Sequence, residues 1–493
     1  MTKKFYITNA IPYVNALPHL GHALEFVQTD TLARYHRLLG EDVFYLSGAD
    51  ENALKNVLAA EEAGVPVEDF VNENTAKFEG LKKVLNLSYD DFVKTSDKKR
   101  HWRGAQKLWQ ECDEAGDIYQ KDYEGLYCVG CEEFKTEKDL VDGLCPEHQT
   151  RPERVRERNY FFRLSKYQGK LQSLIESDEL EIIPESRKNE VLSFIRSGLE
   201  DFSISRTRKR AHGWGIPVPG DESQIIYVWF DALANYITAL GYGTSDIRDP
   251  KSDFRKFWPA DLHVIGKGIT RFHAVYWPAM LLSAGLELPR SIFIHGYITI
   301  EGQKISKSLG NIVDPYDVVK KYGTDAVRYY LLKVIPSTAD GDFSIKHFEE
   351  VYNADLANGL GNLVSRVARL CEKSEIAFVL NDRRSPARYD TDSEVSRFLN
   401  EYKFNEALDL IWKKIKKLDK FIDAEKPWEA LNKELRIKNE GTKDVLKRLV
   451  EGIREIAVLL EPFLPETSRK IQKQFAGPEI RSSGPLFPRI LTA

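Results

Sequence analysis

Residues 4–47 read KFYITNAIPYVNALPHLGHALEFVQTDTLARYHRLLGEDVFYLS and indicate the fold. An apolar, β-rich run at 4–10 ends before Pro12, a helical pattern covers about 21–39, and a second apolar run covers 42–47. Strand, helix and strand at this spacing form a βαβ unit, which predicts a parallel sheet. Further strands of this sheet are predicted from short apolar runs at 224–230, 261–265 and 291–294.

The length and composition exclude several classes of protein. The chain has 493 residues, of which 42% are hydrophobic and 30% charged, with a net charge of -4. This length exceeds the ~250–300 residues that one hydrophobic core supports, so we expect several domains. The mean hydropathy is -0.41, and no apolar run approaches the ~18 residues of a membrane span. The first strand follows the first residues too closely for a signal peptide. We therefore expect a cytoplasmic protein that binds no membrane.

Residue patterns along the chain predict an α/β class with a Rossmann-like, doubly wound parallel sheet. An insertion divides this sheet, and an all-α helix bundle follows it. Apolar residues at three- and four-residue steps over 404–422 and 446–460 predict the bundle. The predicted domains are 1–117 (first half of the Rossmann domain), 118–212 (insertion), 213–310 (second half), 311–350 (connecting segment) and 351–493 (helical domain).

The first motif that suggests chemistry is Pro18-His19-Leu20-Gly21-His22, which opens the first predicted helix. Backbone N–H groups and the positive end of the helix dipole favour a phosphate at such a position. The two histidines can donate hydrogen bonds to phosphate oxygens, and Gly21 leaves space for a nucleotide against the backbone. Taken alone, the motif is explained equally well as a helix cap with two incidental histidines.

The second motif is Lys304-Ile305-Ser306-Lys307-Ser308, between Gly302 and Gly310. Lysines and serines on a glycine-flanked loop can close over a triphosphate and neutralise charge on a leaving pyrophosphate. A charged surface loop often looks similar, but its pairing with His-x-Gly-His in one divided α/β domain is improbable by chance. The sequence contains no Gly-x-x-x-x-Gly-Lys-Ser/Thr, which excludes a P-loop mechanism.

The predicted insertion contains two pairs of metal-ligand residues at two-residue spacing. Cys128 and Cys131 form one pair, and Cys145 and His148 form the other. Four such ligands suit a tetrahedral structural zinc ion with no open position for catalysis. The alternative is a group of unrelated thiol and imidazole side chains at the surface.

The two nucleotide motifs resemble the signature of class I aminoacyl-tRNA synthetases, and the similarity to methionyl-tRNA synthetases covers nearly the whole chain. This resemblance implies a methionine–tRNA ligase, which uses ATP to activate L-methionine as methionyl-adenylate and transfers it to the 3′ end of tRNA(Met). It also implies one structural Zn²⁺ held by the insertion, Mg²⁺, and a role for 311–350 in contacting the tRNA stem. The stretches that carry it are AIPY at 10–13, GADEN at 48–52, VWFDA at 228–232, HGY at 295–297 and YGTDAVRY at 322–329.

The resemblance also implies roles for individual residues in catalysis. His19 and His22 would hold the ATP phosphates, while Lys304 and, more strongly, Lys307 would act on the β- and γ-phosphates. The implied catalytic residues are these four. The implied ATP-binding set is His19, Gly21, His22, Glu25, His295, Lys304, Ser306 and Lys307.

An amino-acid pocket for methionine must accept an unbranched thioether, for which aromatic walls are suitable. The resemblance places Asp50 against the substrate ammonium and implies weak discrimination against homocysteine, with editing. Leu233 stands where some relatives have proline. Gly268 stands where many relatives have an aspartate near the ribose, so Gly268 is not included among the nucleotide-binding residues. The implied methionine-binding set is Ile11, Tyr13, Asp50, Trp229, Ala232, Tyr236, Ile269, Phe272 and His273.

In the helical region, Asn362, Arg366 and Trp428 match the residues with which the family reads the anticodon CAU. Asn and Arg can hydrogen-bond unstacked bases, and Trp can stack on one. The expected partners are initiator and elongator tRNA(Met), L-methionine and ATP. Because the chain ends soon after the bundle, we expect a monomer.

Three alternatives to a methionine–tRNA ligase remain open at this point. The first is a class I ligase for another amino acid, although the insertion is short for a large editing domain. The second is a small-molecule nucleotidyltransferase, which would have no use for the helical region. The third is a non-catalytic RNA-binding protein derived from a synthetase, in which loss of the motif residues would be expected.

Overall fold

The computed structural model of the chain describes residues 2–135, 137–146, 149–244, 252–305, 310–378, 393–432 and 440–491. The chain divides into two compact units. The first unit comprises residues 1–18, 42–82 and 89–295, and the second comprises residues 19–41, 83–88 and 296–493.

The first unit is built on a six-stranded sheet in which all the neighbouring strands are parallel. The strand Lys4–Asn9 is buried from its second residue onward, on both faces. Burial on both faces explains why these strands read as continuous apolar runs. The predicted doubly wound parallel sheet is therefore confirmed. Its strands lie in the order Asp91–Lys94, Asp42–Ala49, Lys4–Asn9, Leu262–Gly266, Ser291–His295 and Glu181–Ile183.

The strand order reverses at Lys4–Asn9, which pairs with Asp42–Ala49 on one side and with Leu262–Gly266 on the other. Open α/β sheets bind ligands beyond the carboxyl ends of the strands at such a reversal. Tyr13 and Asp50 follow the first two strands and pair with each other in a parallel bridge. The topology therefore brings these two predicted site residues together.

Two segments differ from the prediction. The run 224–230 is not a strand of the parallel sheet, because Asp221–Ile226 belongs to a small antiparallel sheet and the helix Val228–Leu233 follows it. The apolar run covers the end of this strand and the buried start of this helix. A short apolar run does not distinguish a buried strand from a buried helix segment by its periodicity. Glu181–Ile183, inside the predicted insertion 118–212, pairs with Ser291–His295 as an edge strand of the parallel sheet.

The first unit also contains two antiparallel sheets and a set of helices of 4 to 18 residues. One sheet contains Glu133–Lys135, Ile118–Cys128, Glu153–Phe162 and Phe202–Ser203, and the other contains Pro217–Val218, Asp221–Ile226 and Ser205–Thr207. The α-helices are Leu54–Ala63, Val67–Val84, His101–Glu114, Gln168–Glu176, Glu185–Arg196, Val228–Leu233, Asn235–Thr238, Asp253–Phe257 and Trp277–Ser283, and Phe272–Tyr276 forms a π-helical turn.

The second unit contains the helix Leu20–Leu38 and the predicted helix bundle. Phe404–Glu425 packs against Glu440–Leu460. The apolar residues that predicted the bundle are buried in it, except Leu418, which is half-buried. The other helices are Pro315–Tyr322, Thr324–Lys333, Ile345–Val351, Asn362–Ser374, Glu394–Asn400, Pro427–Asn432 and Pro465–Gln474, with a π-helical segment at Tyr352–Gly361 and a sheet of Gln303–Lys304, Ile298–Ile300 and Gly341–Phe343.

Among the described helices, none is both long enough and apolar enough to cross a membrane.

Candidate active site

An aromatic cluster in the first unit contains most of the predicted methionine-binding residues. Trp229 and Phe272 stack with their ring centroids 3.8 Å apart and their planes 6° apart. Tyr13 meets Trp229 edge-on at 6.0 Å. The helix Val228–Leu233 supplies Trp229 and Ala232, and the π-helical turn supplies Phe272 and His273. Half-buried Ile11 and Ile269 pack against the same core. The structure therefore brings these predicted residues together.

The polar groups of this cluster are uncharged at neutral pH. His273 Nε2 lies 2.8 Å from Tyr236 Oη, and its Nδ1 lies 3.0 Å from the Ile269 carbonyl oxygen. The carbonyl accepts, so Nδ1 carries the proton and Nε2 accepts from the tyrosine hydroxyl. Burial lowers the pKa of His273 to about 4. A wall without charge favours a neutral side chain such as a thioether over a charged one.

Two buried polar atoms in the cluster have no hydrogen-bond partner among the described residues: Tyr13 Oη and Trp229 Nε1. Native proteins rarely leave such groups unpaired, and exceptions concentrate at sites that bind ligands or water. Both atoms are available to a ligand or to water, and the cluster lies beyond the strand ends, so it is a candidate ligand site.

Asp50 is a buried carboxyl beside this cluster, with 2% of its surface exposed. Its backbone N–H donates to the Pro12 carbonyl oxygen at 2.8 Å, and its Oδ1 accepts from the Asn52 N–H at 3.2 Å. Burial raises the pKa of Asp50 well above its ordinary range, and the negative charge of Asp231 raises it further. A cation at this position would favour the ionised carboxylate, which suits a substrate ammonium.

In the second unit, His19 and His22 shape the start of the helix Leu20–Leu38. His19 Nδ1 accepts from the Gly21 N–H at 3.1 Å, and His22 Nδ1 accepts from the His19 N–H at 3.2 Å. A Cβ at Gly21 would lie 2.9 Å from His19 Cε1, so a larger residue would displace the His19 ring from its capping position. The two rings stack with centroids 3.9 Å apart.

The capping contacts determine which ring nitrogens can donate. Burial lowers the pKa of His19 to about 4 and that of His22 well below its ordinary range, with the neighbouring His19 lowering it further. Both rings are therefore neutral at pH 7. Because each Nδ1 accepts a hydrogen bond, each Nε2 carries the proton and can donate to an anion. His19 and His22 can therefore cap the helix through Nδ1 and still donate to a phosphate through Nε2.

The remaining predicted ATP-binding residues are only partly described. Half-buried Glu25 follows His22 by three positions in the same helix, and Lys304 ends an exposed two-residue strand. The Lys304 carbonyl oxygen accepts from Asn311 Nδ2 at 3.0 Å. His295 is buried at the carboxyl end of its strand, in the first unit. Ser306 and Lys307 lie outside the described residues.

Three of the four predicted zinc ligands converge. The sulfur atoms of Cys128, Cys131 and Cys145 lie within 4.8 Å of one another, and those of Cys131 and Cys145 are 3.5 Å apart. Thiolate ligands about 2.3 Å from a tetrahedral zinc ion have comparable separations, so the three residues fit this metal. The fourth predicted ligand, His148, lies outside the described residues.

The cysteine cluster is connected to the aromatic cluster by contacts that the sequence does not indicate. Glu132 Oε1 accepts from the Lys55 backbone N–H at 2.8 Å, and its Oε2 accepts from Arg206 at 2.9 Å. Lys55 Nζ donates to the Gly130 carbonyl oxygen at 3.0 Å and lies 3.7 Å from the centroid of the Tyr13 ring. The loop that carries the cysteine cluster therefore contacts and supports one wall of the aromatic cluster.

The helical region brings two predicted anticodon-binding residues together. The Arg366 guanidinium lies 5.9 Å from the Trp428 ring. It also donates to Asp419 and Asp423, each at 2.6 Å. Exposed Asn362 lies four residues before Arg366 in the same helix and therefore on the same face. The two aspartates, which sequence analysis missed, hold the guanidinium in position.

The doubly wound sheet, the histidine motif at a helix start and the helical C-terminal region define a class I aminoacyl-tRNA synthetase. A family model described as "tRNA synthetases class I (M)" matches residues 5–155 and 148–368. The methionine–tRNA ligase of Clostridium acetobutylicum is 43% identical over 99% of this chain and 78% of that protein. The chain belongs to the methionyl-tRNA synthetase family, as its sequence predicted.

Two further comparisons agree. The methionine–tRNA ligase of Brucella suis is 40% identical, over 100% of this chain and 99% of that protein. A solved structure of Mycobacterium tuberculosis methionyl-tRNA synthetase in complex with methionyl-adenylate matches with a TM-score of 0.89 and 38% identity. It covers 99% of this chain and 100% of that chain.

Proposed function

We propose that this protein is a methionine–tRNA ligase. The observation that carries the proposal is the uncharged aromatic cluster of Trp229, Phe272 and His273 beside the buried Asp50 carboxyl, in a chain of the methionyl-tRNA synthetase family. An apolar pocket next to a carboxylate suits an amino acid with a neutral, unbranched side chain.

In the first step, a methionine carboxylate oxygen attacks the α-phosphorus of ATP. The bond from that phosphorus to the bridging oxygen breaks, and pyrophosphate leaves with the electron pair. No covalent intermediate with the enzyme forms, so the protein acts by positioning and by stabilising charge. His19 and His22 donate from Nε2 to phosphate oxygens, and Lys304 and Lys307 neutralise the β- and γ-phosphates.

In the second step, a ribose hydroxyl at the 3′ end of tRNA(Met) attacks the carbonyl carbon of methionyl-adenylate. AMP leaves, and the hydroxyl proton passes to it or to solvent. Asn362, Arg366 and Trp428 read the CAU anticodon of initiator and elongator tRNA. The 2.6 Å ion pairs of Arg366 restrict its guanidinium before the tRNA arrives, which reduces the entropy lost on binding.

Two metal ions complete the proposal. Cys128, Cys131, Cys145 and His148 would hold one structural Zn²⁺, and the ion would stabilise the loop that contacts Lys55. Mg²⁺ would supply positive charge to the ATP phosphates. We further propose that the protein acts as a cytoplasmic monomer and that it edits homocysteine.

A charging assay tests the proposal. Purified protein should attach methionine to a tRNA(Met) transcript with anticodon CAU and lose most of this activity on a transcript with a different anticodon. Lys307→Ala should abolish adenylate formation while tRNA binding persists. Charging of both transcripts at equal rates would contradict the anticodon assignment. Charging with another amino acid would favour a different class I ligase.

A further inference from the structure

We propose that His101 is a positioning residue for the amino-acid site, which acts through Asp231 and Asn52 to hold the carboxylate that binds the substrate ammonium. The inference rests on the proposed function, because that function assigns the ammonium to Asp50. His101 belongs to no motif that the sequence analysis identified. It is the first residue of the helix His101–Glu114, and it is fully buried.

Both nitrogens of the His101 ring have partners. Nε2 lies 2.6 Å from Asp231 Oδ1, and Nδ1 lies 2.8 Å from Thr238 Oγ1. An ionised carboxylate can only accept a hydrogen bond, so Nε2 carries a proton and donates to Asp231. Contacts at both nitrogens prevent the ring from rotating. His101 therefore presents a fixed donor to one oxygen of Asp231.

The other oxygen of Asp231 continues the chain of contacts. Asp231 Oδ2 accepts from Asn52 Nδ2 at 2.7 Å, and the same amide nitrogen donates to the Thr95 carbonyl oxygen at 2.9 Å. Asn52 then donates its backbone N–H to Asp50 Oδ1 at 3.2 Å. Hydrogen bonds in a buried network such as this one reinforce each other. The position of the Asp50 carboxylate thus depends on that of Asp231.

Because Asp231 is a buried charged group, its position depends on the hydrogen bond that His101 donates to it. Asp231 lies close enough to Asp50 for its charge to raise the pKa of that carboxyl. Without the imidazole, Asp231 Oδ1 is a buried acceptor that has lost its donor. The carboxyl then turns toward another donor, and this rotation weakens the contact between its Oδ2 and Asn52. The binding of the ammonium is lost first, because chemistry at the α-phosphorus does not involve these groups.

The test compares His101→Leu with His101→Gln in methionine-dependent ATP–pyrophosphate exchange. The leucine variant should raise the methionine KM about ten- to hundred-fold, the loss expected for one hydrogen bond to a charged group. Its kcat and its KM for ATP should stay within about two-fold of the wild type. Glutamine can donate to Asp231, so His101→Gln should recover most of the affinity.

A pair of inhibitors distinguishes this effect from a general disturbance of the pocket. L-Methioninol keeps the ammonium, and 4-(methylsulfanyl)butanoate lacks it. The inhibition constant of methioninol should rise with the methionine KM in His101→Leu, and that of the butanoate should not change. His36→Leu is a matched control, because it removes a similar contact, 2.7 Å from His36 Nδ1 to Glu41 Oε2, and should not change the methionine KM.

Asp50→Asn separates this inference from the proposed function. If the wild type shows no methionine-dependent exchange, the proposed function fails, and the inference fails with it. If Asp50→Asn raises the methionine KM but His101→Leu changes only the thermal unfolding temperature, the inference alone is overturned. If His101→Leu does not fold, the isosteric variant Thr238→Val replaces it in the test, because it removes the hydrogen-bond partner of His101 Nδ1. We expect this variant to raise the methionine KM, and an unchanged methionine KM would overturn the inference.

Discussion

Replacing His273 with glutamine should change how the protein responds to acid. Burial lowers the pKa of His273 from 6.5 to about 4. Between these values the unfolded chain binds a proton that the folded protein does not bind, so stability falls as the pH falls. Full protonation would cost about 3.4 kcal/mol, because the shift is about 2.5 units at ~1.36 kcal/mol each. Between pH 7 and pH 5 the loss is about 2 kcal/mol.

Glutamine does not titrate, and its amide can replace both hydrogen bonds of the neutral ring, to Tyr236 and to the Ile269 carbonyl. The stability of His273→Gln should therefore fall by about 2 kcal/mol less than that of the wild type between pH 7 and pH 5. Other titrating groups are common to both proteins and largely cancel in this difference. Urea unfolding, followed by tryptophan fluorescence at pH 7 and at pH 5, measures the free energy of unfolding of each protein at the two pH values.

The control for this experiment is His212→Gln, because His212 is exposed beside Glu61 and an exposed pair contributes little to stability. The control should follow the wild type at both pH values. An equally steep loss of stability in His273→Gln and in the wild type would refute the argument that His273 is buried in its neutral form.

Three further predictions concern other parts of the molecule. Trp428→Ala should raise the KM for tRNA in charging assays about ten- to hundred-fold, the loss of one stacked base, without changing pyrophosphate exchange. Removal of zinc with a chelator should raise the methionine KM in exchange assays, and Glu132→Gln should reduce this effect because it weakens the connection to Lys55. Arg328→Met should lower the free energy of unfolding by about 3–5 kcal/mol, since buried Asp30 loses one of its two arginine partners and three buried carbonyl oxygens lose their donor. Denaturant titration should show a smaller loss for the double variant with Asp30→Asn.

Much of the fold could be predicted from local patterns. The runs at 4–10 and 42–47 became neighbouring parallel strands, because strands buried on both faces need apolar residues at successive positions. The bundle followed from apolar residues at helical spacing, which are buried between Phe404–Glu425 and Glu440–Leu460. The run 224–230 was predicted wrongly, since a buried helix start and a buried strand have the same composition.

The candidate site was predictable where a motif is local and not where contacts join distant segments. The cysteine pairs are short, and their spacing suggested a metal site. The histidine motif is equally short, but it suggested phosphate binding only in combination with the lysine motif. The pair of His101 and Asp231 joins residues 130 positions apart, and no periodicity relates them. The ion pairs of Arg366 were also unpredictable, because they depend on how two helices pack.

Amino-acid-dependent ATP–pyrophosphate exchange, measured with each of the twenty amino acids in the absence of tRNA, shows which amino acid this protein activates. We expect exchange with methionine, none with the other nineteen amino acids, and weak exchange with homocysteine added as a control. Exchange with a different amino acid would contradict the pocket assignment. No exchange with any amino acid, from folded protein supplied with zinc, would contradict the proposed activity itself.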